Sequence, residues 1–304
     1  VVLDTADSSD IDPLVDTLED AASNDALVAS DILATDATVS DVLPTDVLPA
    51  DIITIDADDE TDVVPDTATE PVKLWLLSID NGSDYLQRVD VDTGIGTNLC
   101  KLTPAPGTGG FISSYPSLTF SRNNVLYASR GGTALDAIDP CTCQVTPIGS
   151  YGGFGGVNGI TSNQATDLFG VSSNSDDLIG INTGTGLAAA IGDGLGVNFG
   201  TGGATWSDFG KTLYAINGSD NSLYTIHPIT GVATLVVGLS KNFGTVGIEL
   251  HPANGVIYAC SDYNPLREVD PVTGIVTEKP NPIGQTTSCT NLAAPWKPVA
   301  CLEP

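Results

Sequence analysis

The residues considered first for acid–base chemistry are Glu249, the one carboxylate in the predicted inner strands, and the two histidines, His227 and His251. Glu249 lies in the apolar segment GIELH. The similar segments YPSLTFS, NGITS and GATWS contain no carboxylate. Hydrolysis of a glycosidic bond requires two carboxylates, and neither a G-x-S-x-G motif nor a P-loop is present. We therefore predict that the chain is not an enzyme and that His251 ends a strand.

Three polar loops contain carboxylates whose oxygen atoms could bind calcium. They read DNGSD from residue 80, NSDD from residue 174 and NGSDN from residue 217. Polar turns on a solvated rim are the favoured interpretation, and calcium is the alternative. We predict no other cofactor. Asn-Gly-Ser at 81 and 217 also matches the N-glycosylation sequon, which makes a glycan a candidate partner. The candidate calcium ligands are Asp80, Asp84, Asp176, Asp177 and Asp220.

The six cysteines indicate an oxidising compartment, because an even number suits disulfide formation. CTC at 141–143 lacks the spacing of a zinc knuckle. We predict three disulfides, with Cys289 or Cys301 holding the C-terminal segment, while 15 pairings remain open. The candidates are Cys100, Cys141, Cys143, Cys260, Cys289 and Cys301.

Composition divides the chain near Pro71 into an acidic tail, residues 1–70, and a body, residues 71–304. The tail holds 20 of the 38 acidic residues and no basic, aromatic, Gly or Cys residue, and the body has a net charge of −8. Such charge repels nucleic acid, and no apolar run is long enough to span a bilayer. The chain starts with Val1 and has no Met, so we expect a removed signal sequence and an extracellular or cell-surface location.

The body contains five copies of one motif, at steps of 49, 43, 45 and 43 residues. About ten residues before each copy lies a short β-branched or aromatic run typical of a strand. Repeats at this period predict a five-bladed β-propeller with blades of about 45 residues. The copies are LQRVDVDTG at 86, LDAIDPCTC at 135, LIGINTGTG at 178, LYTIHPITG at 223 and LREVDPVTG at 266.

The end of each motif predicts a turn between the last two strands of a blade. The Asp accepts backbone hydrogen bonds, and the Gly adopts positive φ. His227 stands where the other copies have Asp or Asn. The first copy lacks an inner strand before it, and SCTNLAAPW at 288–296 has no copy of its own. We predict that this segment pairs, around Leu292, beside residues 74–78 and closes the ring.

The LYxI and IDPxTG repeats over residues 71–296 resemble those of secreted bacterial β-propellers in the broad YVTN, NHL and quinoprotein-like group. The resemblance implies the fold, while members of that group range from enzymes to scaffolds. The Asp- and Thr-rich tail resembles the spacers that follow signal sequences in exported bacterial proteins. It departs from a lipoprotein leader, because position 1 is Val and not Cys.

The tail contains 21 Val, Leu and Ile residues, more than a solvated linker requires. Six Asp residues from Asp31 to Asp56 recur every five positions, for which we have no physical account. We interpret the aliphatic doublets as a segment that adds strands to neighbouring subunits. The assembly residues predicted are Val28, Ile32, Leu33, Val42, Leu43, Val47, Leu48, Ile52 and Ile53.

The sequence thus favours an extracellular structural protein whose propellers form a homo-oligomeric filament or surface array through the tail. The alternative is a monomeric secreted or cell-surface propeller that binds carbohydrate or calcium. A hydrolase is the least favoured function.

Overall fold

The computed structural model describes residues 73–263 and 265–303. They form twenty β-strands in five sheets, which confirms the predicted all-β, five-bladed propeller. Within these ranges no helix has the length and apolar character to cross a membrane. The predicted tail and its assembly residues lie outside the described residues, so the boundary between tail and body stays a prediction.

Each blade is an antiparallel sheet whose successive strands are arranged in order from the axis of the ring to its rim. The two-residue strand β4 is the exception, because it pairs in parallel with the outer strand of blade 2. Blade 1 comprises β1 (Trp75–Asp80), β2 (Tyr85–Asp90) and β3 (Gly96–Lys101); blade 2, β4 (Thr103–Pro104), β5 (Ser117–Phe120), β6 (Leu126–Arg130), β7 (Ala134–Ile138) and β8 (Gln144–Ser150); blade 3, β9 (Val157–Ser162), β10 (Leu168–Ser172), β11 (Asp177–Ile181) and β12 (Ala188–Ile191); blade 4, β13 (Gly202–Ser207), β14 (Thr212–Asn217), β15 (Ser222–Ile226) and β16 (Ala233–Gly238); blade 5, β17 (Gly247–Leu250), β18 (Ile257–Cys260), β19 (Pro265–Val269) and β20 (Val276–Pro282).

Blade 1 takes its inner segment from the C-terminal end of the chain. Leu77 and Ala293 form an antiparallel bridge, with N···O distances of 2.7 and 2.9 Å. Two residues further along β1, the backbone N–H of Ile79 donates to Oδ1 of Asn291 at 2.6 Å. The predicted closure around Leu292 is confirmed, and the first and last parts of the propeller share one blade.

The antiparallel order gives the ring two faces. One face carries the connections between blades and the loops between second and third strands, and we call it the top face. The bottom face carries the loops between first and second strands and the turns between third and fourth strands.

The turns on the bottom face share one hydrogen-bonding pattern. Oδ1 of Asp90 accepts from the N–H groups of Asp92 and Thr93, at 3.0 and 2.8 Å. In blade 4, Nδ1 of His227 accepts the equivalent bonds from Ile229 and Thr230, at 3.3 and 3.2 Å. The predicted role of His227 in the turn is therefore confirmed. The last residue of each turn adopts positive φ. These residues are Gly94, Cys143, Gly186, Gly231 and Gly274.

The inner strands approach one another so closely that small residues are required where they touch. A Cβ on Gly247 would lie 2.5 Å from the backbone N of Asn291, and one on Gly159 would lie 2.6 Å from that of Ala204. Such distances would force the strands apart. Gly at these positions therefore follows from the narrow five-bladed ring.

Three disulfides link the cysteines, as predicted, and no free thiol is present among the described residues. One joins β3 of blade 1 to the turn of blade 2, and two hold the segments on either side of the closing bridge. Both predicted anchors, Cys289 and Cys301, thus serve ring closure. The pairs are Cys100–Cys143, Cys141–Cys301 and Cys260–Cys289.

Candidate functional site

Glu249 lies between the inner strands of three blades and is 3% exposed. Its Oε1 accepts from the N–H of Ala294 at 3.3 Å, and its Oε2 lies 3.5 Å from the hydroxyl of Thr205. Burial raises the pKa of Glu249 well above its ordinary value, and these two hydrogen bonds lower it by less. The hydroxyl of Thr205 accepts from the N–H of Leu250 at 2.8 Å and donates to Oε2 of Glu249.

His251 links blade 5 to blade 1. Its Nδ1 accepts from the N–H of Ala253 at 3.2 Å, so the ring proton belongs on Nε2, which lies 3.2 Å from the carbonyl of Trp75. Burial lowers the pKa of His251, which favours this neutral form. Both ring nitrogens are therefore used in holding the end of an inner strand.

The predicted calcium ligands lie in top-face loops of three different blades, and several of them bind protein groups. Asp80 accepts from the hydroxyl and N–H of Thr286, at 2.8 and 3.0 Å. Asp176 accepts from the N–H of Phe199 at 2.7 Å, and Asp220 from the hydroxyl of Tyr224 at 2.6 Å. Across 73–263 and 265–303, no three His, Cys, Asp or Glu side chains surround a common point. Calcium binding at Asp80, Asp84, Asp176, Asp177 and Asp220 stays a prediction.

The sequon asparagines are engaged in the same loops. Asn81 donates to the carbonyl of Tyr115 at 3.2 Å. Asn217 is 1% exposed and donates to the carbonyl of Asn198 at 2.9 Å. Their amides connect loops of neighbouring blades.

The bottom face carries a different cluster, at the point where loops of four blades converge. Arg122 follows β5 in blade 2, and Asp208 and Phe209 follow β13 in blade 4. Pro252 follows β17 in blade 5, and Trp296 follows the closing segment of blade 1. These side chains line a cavity of about 470 Å³, together with Leu250 and Gly255. We call this cavity the mouth.

Arg122 and Asp208 form an ion pair across the mouth, and an indole fixes each partner. The guanidinium carbon of Arg122 lies 3.4 Å from the ring centroid of Trp296, whose Nε1 donates to the carbonyl of Phe120 at 3.1 Å. Nε1 of Trp206 donates to Oδ1 of Asp208 at 3.1 Å. The ion pair is therefore held from two sides, and about a quarter of each side chain remains exposed, 23% and 24%.

Phe209 is the most exposed large hydrophobic residue described, at 96%. Its backbone is fixed all the same, because Oγ of Ser207 donates to the carbonyl of Phe209 at 2.8 Å and Gly210 adopts a φ of 86°. A second cavity, of about 500 Å³, shares Phe209, Leu250, Pro252 and Gly255 with the mouth. Phe209 thus lines two adjoining recesses.

The sequence does not predict this site. Its residues are scattered from 122 to 296, and only ring closure brings them together. A signal was nevertheless present in SDFGK at 207–211, where an aromatic residue occupies a short polar turn.

The closed ring and the mouth define the chain as a disulfide-linked, five-bladed β-propeller with a bottom-face recess. A protein of unknown function from Bacteroides thetaiotaomicron VPI-5482 is similar at 16% identity and a TM-score of 0.49, covering 73% of this chain and 62% of that one. An auxiliary nutrient binding protein from Bacteroides ovatus ATCC 8483 is similar at 13% identity and a TM-score of 0.45, covering 68% and 57%. This chain spans less than two thirds of either protein, and such likeness says nothing about what it binds. No protein-family model and no curated protein matches the chain.

Proposed function

We propose that this chain is an extracellular binding propeller that holds a small ligand in the mouth and performs no chemistry on it. The observation that carries the proposal is Phe209, an almost completely exposed ring on a fixed turn beside the Arg122–Asp208 pair. Binding sites combine apolar surface with a few positioned polar groups, and the mouth offers both. The three disulfides support a location outside the reducing cytosol.

Binding is favoured over catalysis because the acid–base candidates are committed to the scaffold. Glu249 is buried between inner strands, and His251 uses both ring nitrogens in hydrogen bonds. Among the described residues, the hydrogen-bond partners of these two side chains are backbone groups and the hydroxyl of Thr205, whereas glycoside hydrolysis requires a carboxylate partner.

A ligand screen on the full chain tests the proposal. Saturation-transfer NMR against neutral oligosaccharides, amino acids, dicarboxylates and proline-rich peptides should give signals for at least one class. Those signals should disappear in Phe209→Ala and persist in Val272→Ala, a control on the same face at 85% exposure. Ligand recovered after long incubation should be chemically unchanged. Signals that persist unchanged in Phe209→Ala, or chemical conversion of the ligand, would contradict the proposal.

Assembly is the second candidate, because β16 presents an exposed apolar edge. Leu235 and Val236 are 57% and 40% exposed on this outer strand of blade 4, and such edges accept added strands. The added strand predicted from sequence is the tail, residues 1–70, which lies outside the described residues.

If assembly is correct, light scattering of the full chain should show species larger than a monomer at high concentration. Deletion of residues 1–70 should leave folded monomers. A full-length protein that stays monomeric throughout the concentration series would rule this candidate out.

A further inference from the structure

We infer that the ligand of the mouth is a neutral oligosaccharide of at least two linked sugar rings, which lies across Phe209. This inference rests on the proposed binding function and specifies its ligand class. Four features of the bottom face carry it.

The first feature is charge. Arg122 and Asp208 compensate one another, so the mouth offers no uncompensated charge to a phosphate or a carboxylate. The propeller as a whole has an excess of acidic residues, with a net charge of −8 over residues 71–304, which further disfavours anions. The ligand is therefore expected to be neutral.

The second feature is the type of polar group. Nε and Nη2 of Arg122 are buried, so the N–H donors left for a ligand are those of Nη1, and the carboxylate of Asp208 has two oxygens that can accept. Adjacent hydroxyl groups on a sugar ring can donate to Asp208 and accept from Arg122. Because Trp296 and Trp206 fix these two side chains before binding, little conformational entropy is lost when the ligand arrives.

The third feature is the apolar ring of Phe209. A sugar ring has a face of C–H groups that packs on an aromatic plane while its hydroxyl groups point outward to polar partners. Phe209 and Pro252 present such a surface directly beside the Arg122–Asp208 pair. A single exposed aromatic residue is ordinary on a protein surface. Phe209 indicates a binding site because it lies next to a preorganised polar pair.

The fourth feature is the pair of recesses, of about 470 and 500 Å³, that both include Phe209 in their lining. A ligand that fills both recesses contacts the residues that the two share, and Phe209 is the aromatic residue among them. Linked sugar rings satisfy this geometry, whereas one sugar occupies only one recess. Affinity should therefore increase between a monosaccharide and a disaccharide.

The test is calorimetric titration of the full chain with neutral oligosaccharides of one to four units, selected on an array of neutral glycans. We expect the disaccharide to bind at least about tenfold more tightly than the monosaccharide, and Phe209→Ala to remove at least about tenfold in Kd. Phe209→Trp should restore binding, because a larger ring preserves the stacking surface. Val272→Ala should bind as the native chain does, and Asp208→Asn should weaken binding, since one acceptor oxygen is lost.

The outcomes separate this inference from the proposed function. If a proline-rich peptide or an amino acid binds in a Phe209-dependent manner and no glycan does, the mouth is a binding site and the glycan inference is wrong. If glycans bind equally well to Phe209→Ala, the inferred placement is wrong. If no glycan on the array binds, the inference is overturned. Because Phe209 is 96% exposed, its replacement leaves the core intact. A loss of binding in Phe209→Ala therefore does not reflect a loss of folding.

Discussion

Deletion of residues 288–304 should prevent the propeller from folding. The segment supplies Ala293, which bridges Leu77, and Leu292, which is 1% exposed in the core. It also supplies Cys289 and Cys301, so two of the three disulfides disappear. Loss of one disulfide from a small domain costs about 2–5 kcal/mol. Two such losses, together with the lost burial of Leu292, are comparable with the roughly 5–15 kcal/mol that stabilises a typical domain.

Near-UV circular dichroism and amide dispersion in NMR spectra measure this outcome. The matched control is Cys141→Ser/Cys301→Ser, which removes one disulfide and keeps the closing bridge. We expect the control to fold with a lower unfolding midpoint and the deletion to give a collapsed or aggregated chain. A deletion variant with dispersed amide signals and a cooperative thermal transition would refute closure by this segment.

Glu249→Gln should stabilise the protein at neutral and alkaline pH. Burial raises the pKa of Glu249 in the folded state above its unfolded value, which is near 4.5. The native chain therefore keeps its full stability below that unfolded pKa and loses stability as the pH rises toward the folded pKa. Each unit of pKa difference corresponds to about 1.4 kcal/mol. Gln keeps a side-chain oxygen that can accept a hydrogen bond, and it has no charge to bury.

Urea unfolding at several pH values between 4 and 9 tests this effect. The free energies of unfolding of the two proteins should be similar near pH 4 and should diverge in favour of Glu249→Gln as the pH rises. Glu303→Gln, an exposed control, should follow the native profile. Parallel profiles of Glu249→Gln and the native chain would show that the buried carboxyl does not limit stability.

The repeats made the blades predictable because their turn chemistry is local. Asp, Asn or His at the start of each turn, and Gly (Cys143 in blade 2) at its end, determine the backbone wherever the blade lies in the ring. The turn position of His227 was also predictable, since its Nδ1 accepts the hydrogen bonds that an Asp oxygen accepts in other blades. The closing segment was found because a blade without an inner strand and a strand without a blade require one another.

The disulfide pairs were not predictable, because they depend on which side chains meet after closure. Cys141 and Cys143 are two residues apart, yet Cys143 is buried against blade 1 and Cys141 is exposed toward the C-terminal end. The mouth was missed for the same reason. Arg122, Asp208 and Trp296 belong to different blades, and their spacing in the sequence contains no information on their contact.

Both proposals require that the mouth is the binding site. The most direct test of this site is a crystal structure of the full chain grown with the tightest-binding compound from the ligand screen. We predict electron density for that compound across Phe209, within hydrogen-bonding distance of Arg122 or Asp208. Density on the top face, or at the rim of the blades with the mouth empty, would contradict the account.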